Sequence, residues 1–251
     1  MASNVARGRR LPLRRGDPSA AWYTKLVTPE QAPVLPPLGR STTRSDLVAA
    51  SIKSAILAGR LHPDELLVER RIADQLGVSK TPVREALIAL TSSGLLTPTR
   101  NRGVAVRRMR PEDVQHVYEM RMLLEPWAAG QVAAAGTLDV AEARRALEDA
   151  ARFVEADDHA GLSLANRRFH RLLYSTCANE LAVRSLDDLQ DLTALGTVSL
   201  LWEQWPTWRT ELEEHREILT AVQEGRAADA EELLRGHIQR SIIRLREFRA
   251  R

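Results

Sequence analysis

The chain has 251 residues, 44% apolar and only 4% aromatic, which suits one large or two ordinary domains of Ala/Leu-rich helices rather than an aromatic β-sandwich. Its single cysteine, Cys177, excludes an intrachain disulfide and a cysteine metal cluster, and no run of about 18 apolar residues exists to span a membrane. The net charge of +3 conceals a division, with 19 basic and 8 acidic residues over 1–110 (net +11) against 17 and 25 over 111–251 (net −8), so the N-terminal part suits a polyanionic partner, most often nucleic acid.

Residues 1–40 are rich in Arg, Pro and Gly and carry no helical or strand period. They read as a disordered basic arm, either adding non-specific phosphate contacts or serving as an inert tail. Its basic start is followed by no apolar stretch, so no secretory signal is expected, although its composition suits a transit peptide. A reducing cytoplasmic location, on the nucleoid, is the expectation.

From Ser41 the pattern turns helical. Val48, Ile52, Ala55 and Ile56 form one stripe, and Gly59 follows as a natural stop. A second helix is expected over about 69–76 and a third over about 80–92. LLTPTRNRGVAVRRM then reads as two short strands around a turn at Arg100 to Gly103. Three helices and a hairpin over 41–110 make a winged helix-turn-helix.

Each special position of that motif is suitably filled. Ala73 is small where two helices approach, Gly77 turns the chain, and Val78 plugs the space between them. Ser79 is expected to cap the next helix through its hydroxyl, and Pro82 falls in the first turn, where its missing N–H is tolerated. Val83, Ala86, Leu87 and Leu90 share the core face. Ser79, Lys80, Thr81 and Arg84 are then left at the outward N-terminal end, the part of a reading helix that meets base edges. Arg84 suits a bidentate contact to guanine. Lys80 suits phosphate or a guanine acceptor, and Thr81 suits phosphate or a thymine methyl. Arg70 can hold the DNA backbone, while Arg100 and Arg102, beside Gly103, can reach the minor groove or phosphates from the wing tip. An ordinary helical hairpin with a solvated basic face is the plainer alternative, and the charge division argues against it.

The part from 111 to 251 reads as an antiparallel bundle of about six helices: about 111–135, 138–156, 158–176, 180–202, 207–223 and 227–249. Pro126 is expected to kink the first. Of the six histidines, His62, His116 and His159 read as surface residues. Asn166 and His170 lie at i, i+4 on one helical face. His215 and His237 fall on two helices joined by the short turn at Gly225, which can present both rings to the interior. Three imidazoles and one amide oxygen can hold Zn²⁺, Ni²⁺ or Mn²⁺ with positions left open. From spacing alone, surface or hydrogen-bonded core histidines are the commoner case. Trp202, Trp205 and Trp208 crowd Pro206, either as packing or as an effector lid.

The run DLVAASIKSAILAGRL…VERRIADQLGVSKTPVREALIALTSSGLLTPTRNRGVAV resembles the DNA-binding domain of GntR-family regulators, above all in Gly77 to Leu87, Gly94-Leu95 and Arg102-Gly103. The resemblance implies DNA contact by Arg70, Lys80, Thr81, Arg84 and Gly103. This chain departs from the family with Pro63-Asp64 where Pro-Gly is common, and with Lys80 where Arg is frequent. Arg121-x-x-x-Glu125, Asn166-x-x-Phe169-His170, Glu214-His215 and Gly236-His237 resemble the FCD effector domain of the FadR subfamily. That implies a divalent metal held by Asn166, His170, His215 and His237, less anionic than the usual Asp-bearing site. Arg121 then either grips an effector carboxylate or pairs with Glu125 along the helix.

The expectation is a mainly α protein, probing DNA through an N-terminal winged helix-turn-helix with a small β-hairpin wing and sensing through a C-terminal helical bundle. As a homodimer it would occupy a palindromic operator, as a repressor, under control of an organic or sugar acid. The alternatives are a metal-dependent enzyme with an appended DNA-binding domain and a helical adaptor. The sequence has no H-E-x-x-H, G-x-S-x-G or phosphate-cradling glycine loop for the former.

Overall fold

In the computed structural model, the described residues are 42–100, 103–197, 200 and 208–249. The arm 1–40, Arg102, Trp202, Trp205 and the side chain of Trp208 lie outside this description. Among the described residues the chain forms nine helices and three strands.

Helix α1 (Arg44–Leu57) begins in a capping box. Asp46 N–H donates to Thr43 Oγ1 at 3.1 Å and Thr43 N–H to Asp46 Oδ2 at 2.8 Å, so two otherwise orphaned donors are satisfied. Val48, Ile52 and Ile56 are buried and Ala55 is half-buried. Strand β1 (Leu66–Leu67) follows, then α2 (Glu69–Leu76) and α3 (Lys80–Ser92), joined through Gly77 in the left-handed conformation at φ +63°. Strands β2 (Leu96–Thr99) and β3 (Gly103–Val106) pair antiparallel as the wing, with Leu96 opposite Val106 and Thr99 opposite Gly103.

Strand β1 adds a feature that the hairpin expectation lacked. It pairs antiparallel with the other edge of β3, Leu66 opposite Ala105, giving a sheet ordered β1-β3-β2. Asp64, just before it, takes φ +68°. This is the conformation that glycine adopts most easily, and Asp64 holds it with its carboxylate 2.5 Å from Arg108 Nε.

The remaining helices are α4 (Pro111–Ala135), α5 (Val140–Glu155), α6 (His159–Tyr174), α7 (Glu180–Gly196), α8 (Trp208–Gln223) and α9 (Ala227–Arg249). Helix α4 is central and packs along α9, α7, α6 and α8, while α5 packs on α6 and α8. Phe169, Leu173, Leu186, Ile218, Leu234, Ile238 and Leu245 are fully buried between them. Pro126 lies buried inside α4, and the helix is continuous through it. Helix α1 of the winged part also meets α7 of the bundle, where Lys53 Nζ lies 2.5 Å from the buried Asp191 Oδ2.

Candidate DNA-reading face and candidate ligand site

On α3 the core face and the free face separate cleanly. Val83, Ala86, Leu87 and Leu90 are buried, whereas Ser79, Lys80, Thr81 and Arg84 are exposed. Ser79 has the extended backbone of an N-cap, but its hydroxyl makes no capping bond, contrary to the expectation from sequence. Pro82, the third helical residue, removes one of the two N–H groups that a capping side chain bonds, leaving only that of Thr81. The Ser79 hydroxyl is exposed at the head of the helix.

Arg84 is the most ordered of the outward cations. Its Nε donates to Glu69 Oε1 at 3.0 Å and its Nη2 to Glu69 Oε2 at 2.9 Å. These bonds hold the Glu69 carboxyl below the usual range. Arg70 is exposed and only loosely paired, its Nε 3.9 Å from Asp74. Arg100 is exposed in the wing turn, and Gly103 opens β3 at φ +92°.

The second constellation lies inside the bundle. Helix α4 supplies Arg121 and Glu125, α6 His170, α7 Gln190 and Thr193, α8 Glu214 and His215, and α9 His237. Arg121, Glu125, His170, His215 and His237 are each at most 4% exposed. The Nε2 of His215 lies 3.2 Å from that of His170 and 3.2 Å from that of His237. One ligand atom from each ring falls within 4.8 Å of the others. Asn166 sits half-buried on α6, one turn before His170.

Carboxylates fix which nitrogen of two rings carries the proton. His170 Nδ1 is 2.5 Å from Glu125 Oε1, and His237 Nδ1 is 2.6 Å from Glu214 Oε2. A carboxylate only accepts, so each Nδ1 is the donor, and in a neutral ring Nε2 is left as a bare lone pair. Arg121 Nη2 therefore stands beside His170 Nδ1, at 3.2 Å, without donating to it. Burial, opposed by Glu125, pushes His170 down to about 4. Burial with the neighbouring rings and Arg121 puts His215 well below its ordinary value. Both rings are thus neutral near pH 7, the ligating form.

Of the two readings of Arg121 left open by its sequence, the pairing is present. Arg121 pairs with Glu125, Nε to Oε2 at 2.7 Å, but in the interior and against the histidines. Its Nη1 also donates to Thr193 Oγ1 at 3.3 Å, and Gln190 Nε2 donates to Glu125 Oε2 at 3.0 Å. Burial would raise the Glu125 carboxyl, yet Arg121 and His170 outweigh it and hold it at about 2. Three imidazoles with converging nitrogens, two of them oriented by carboxylates, are a donor set that fits a divalent borderline metal. Gln190 was not singled out from sequence, Glu125 appeared there only as a partner for Arg121, and Glu214 only as a motif neighbour. Glu125 at i+4 from Arg121 and Glu214 next to His215 were the available signals.

Comparison with known proteins agrees with both halves. The profile described as bacterial regulatory proteins, gntR family, matches residues 44–106, and that of the FCD domain matches residues 116–240. An HTH-type transcriptional regulator of Agrobacterium vitis, from the TAR-I ttuE-ttuC' intergenic region, is 32% identical over 147 residues, 56% of this chain and 86% of the relative. A probable D-xylose utilization operon transcriptional repressor of Paenarthrobacter nicotinovorans is 31% identical over 198 residues, 78% of this chain and 86% of the relative. Among solved structures, E. coli McbR/YncC superposes with a TM-score of 0.71 over 82% of this chain and 99% of that one, at 23% identity, which speaks to the fold alone.

Proposed function

Since the chain belongs to the gntR family of bacterial regulatory proteins and carries an FCD domain, it is an effector-controlled DNA-binding regulator rather than an enzyme, and we propose that its input is a small carboxylate bound at the Arg121–His170–His215–His237 cluster. Residues 41–110 are the reading head and 111–251 the sensing and dimerising part. Lys80, Thr81 and Arg84 face bases, with Ser79 beside them, and Arg70, Arg100, Arg102 and Gly103 follow the backbone and the groove. A homodimer meets the two half-sites of a palindromic operator, in the cytoplasm on the nucleoid. The name of the Paenarthrobacter relative, a probable repressor of a D-xylose utilization operon, supports repression.

The observation that carries the reading is the convergence of three Nε2 atoms beside a buried guanidinium. His170, His215 and His237, with Asn166 as an oxygen donor, would hold a divalent ion of the Zn²⁺, Ni²⁺ or Mn²⁺ kind. When bound, the ion would supply a Lewis-acidic position for a carboxylate oxygen. Arg121 supplies a second, cationic grip and Glu125 keeps that grip oriented.

Helix α7 connects this cluster to the head. Its Gln190 and Thr193 touch Glu125 and Arg121, and its Asp191 meets Lys53 of α1 and Arg167 of α6. An effector that shifts Arg121 therefore acts on a helix whose neighbouring residue holds the head. To regulate, it must favour one of the two head positions over the other. A thermal-shift screen of sugar and organic acids, with and without Zn²⁺, tests the proposal. Hits on the wild type should vanish in Arg121→Met and lose their metal dependence in His215→Ala. Hits that persist unchanged in both variants refute the site.

A further inference from the structure

Arginine has two donor edges. Nε–H and one Nη2–H form the lateral edge, and the remaining Nη2–H with an Nη1–H forms the terminal fork. In Arg84 the lateral edge is taken by both oxygens of Glu69. The terminal fork is the part that matches guanine O6 and N7. Glu69 opens α2 and Arg84 sits in the second turn of α3, so the pair ties the two helices of the motif together. The Arg84 side chain is 64% exposed and that of Glu69 34%, and so exposed a pair adds little to stability. A carboxylate beside a DNA-facing helix also works against binding, because it repels phosphate. The pair stands where it weakens general DNA affinity, which points to a gain in something else.

We propose that Glu69 is a positioning residue for base reading: it holds the lateral edge of Arg84 so that the terminal fork is presented, already oriented, to a guanine. This rests on α3 being the reading helix. Arginine loses rotamer freedom when it is fixed on a base. A partner that fixes it beforehand raises the affinity for the correct base while lowering that for DNA at large. Glu69 thus sharpens discrimination at the single base pair that Arg84 meets.

The test uses the full chain. Selection from a random duplex library with the wild type yields its preferred duplex. Affinities are then measured by fluorescence anisotropy, at one salt concentration, for that duplex, for versions with each guanine replaced by adenine, and for a mixed-sequence duplex. Glu69→Gln removes the charge. Glu69→Asp keeps the charge at the helix start but is too short to hold both nitrogens. Both variants should lower the ratio of specific to mixed-sequence affinity by about tenfold. The loss should fall on the guanine that Arg84→Ala also stops reading. Glu69→Gln should in addition bind the mixed-sequence duplex more tightly than wild type. Melting followed by circular dichroism identifies any variant that is not folded, and Glu69→Asp then carries the test. Unchanged guanine preference in the folded Glu69 variants overturns the proposal, as does a sharpened one, which would make Glu69 a competitor for Arg84. If Arg84→Ala itself discriminates like wild type, the reading-helix assignment fails instead, and this proposal with it.

Discussion

Replacing Arg121 by Met should destabilise the bundle by about 3–4 kcal/mol at pH 7 while leaving its shape intact. The magnitude follows from the partner. Glu125 is 0% exposed and its carboxyl is moved from 4.5 to about 2, with Arg121 the largest stabilising influence against burial. At about 1.4 kcal/mol per pH unit, that displacement is worth about 3 kcal/mol. Breaking one side of a buried pair costs about 3–5 kcal/mol by itself. Methionine keeps most of the volume, so little cavity cost is added. The pH dependence gives the sign. In the wild type the folded-state value is depressed, so its contribution is full above about 4.5 and is lost as pH falls toward about 2. In Arg121→Met, burial without its counter-charge raises the Glu125 carboxyl, and the penalty is relieved as protons bind. The gap between variant and wild type should therefore narrow from pH 7 to pH 5. Urea unfolding followed by circular dichroism, with chelator present, measures both quantities. The double variant Arg121→Met/Glu125→Gln should recover much of the loss. A cost below about 1 kcal/mol, or a gap that does not change with pH, refutes the account of the buried pair.

Three further outcomes are expected. Glu214→Gln should weaken Zn²⁺ binding by about 10–100-fold, because it no longer fixes the proton on His237 Nδ1; isothermal titration reads this directly. Lys53→Met should cost about 1–2 kcal/mol of stability, between the values for surface and buried pairs, since the Lys53 side chain is 33% exposed and that of Asp191 is 0% exposed. It should also reduce the change in operator affinity produced by effector. Arg70→Ala should weaken binding to all duplexes alike and lower the slope of log affinity against log salt by about 1, in contrast to Arg84→Ala.

The long helices were legible because they announce themselves locally. α2, α3 and α4 fall where apolar periodicity, the left-handed Gly77 and Pro111 place them. Strand β1 was not legible, since two residues, Leu66–Leu67, cannot display an alternation. Ser79 was read as a capping hydroxyl because serine favours that position, while Pro82 three residues on removes one of its two possible partners and the hydroxyl makes no capping bond. The histidines could be placed on facing helices, but spacing does not say which nitrogen faces inward. That follows from Glu125 and Glu214, which reach His170 and His237 from other helices. The same holds for Glu69 on Arg84 and for Asp191 under Lys53, contacts made only by the folded chain.

The central claim is that ligand binding at the histidine–arginine cluster governs the reading head. Its most direct test is the affinity of the full chain for its selected duplex, measured with and without Zn²⁺ and the acid identified by thermal shift, in wild type and in His215→Ala. The account predicts a shift of about 5–150-fold in the wild type and none in His215→Ala, with the two proteins binding DNA alike when no ligand is added. An equal shift in both, or none in the wild type with the site demonstrably filled, would contradict it.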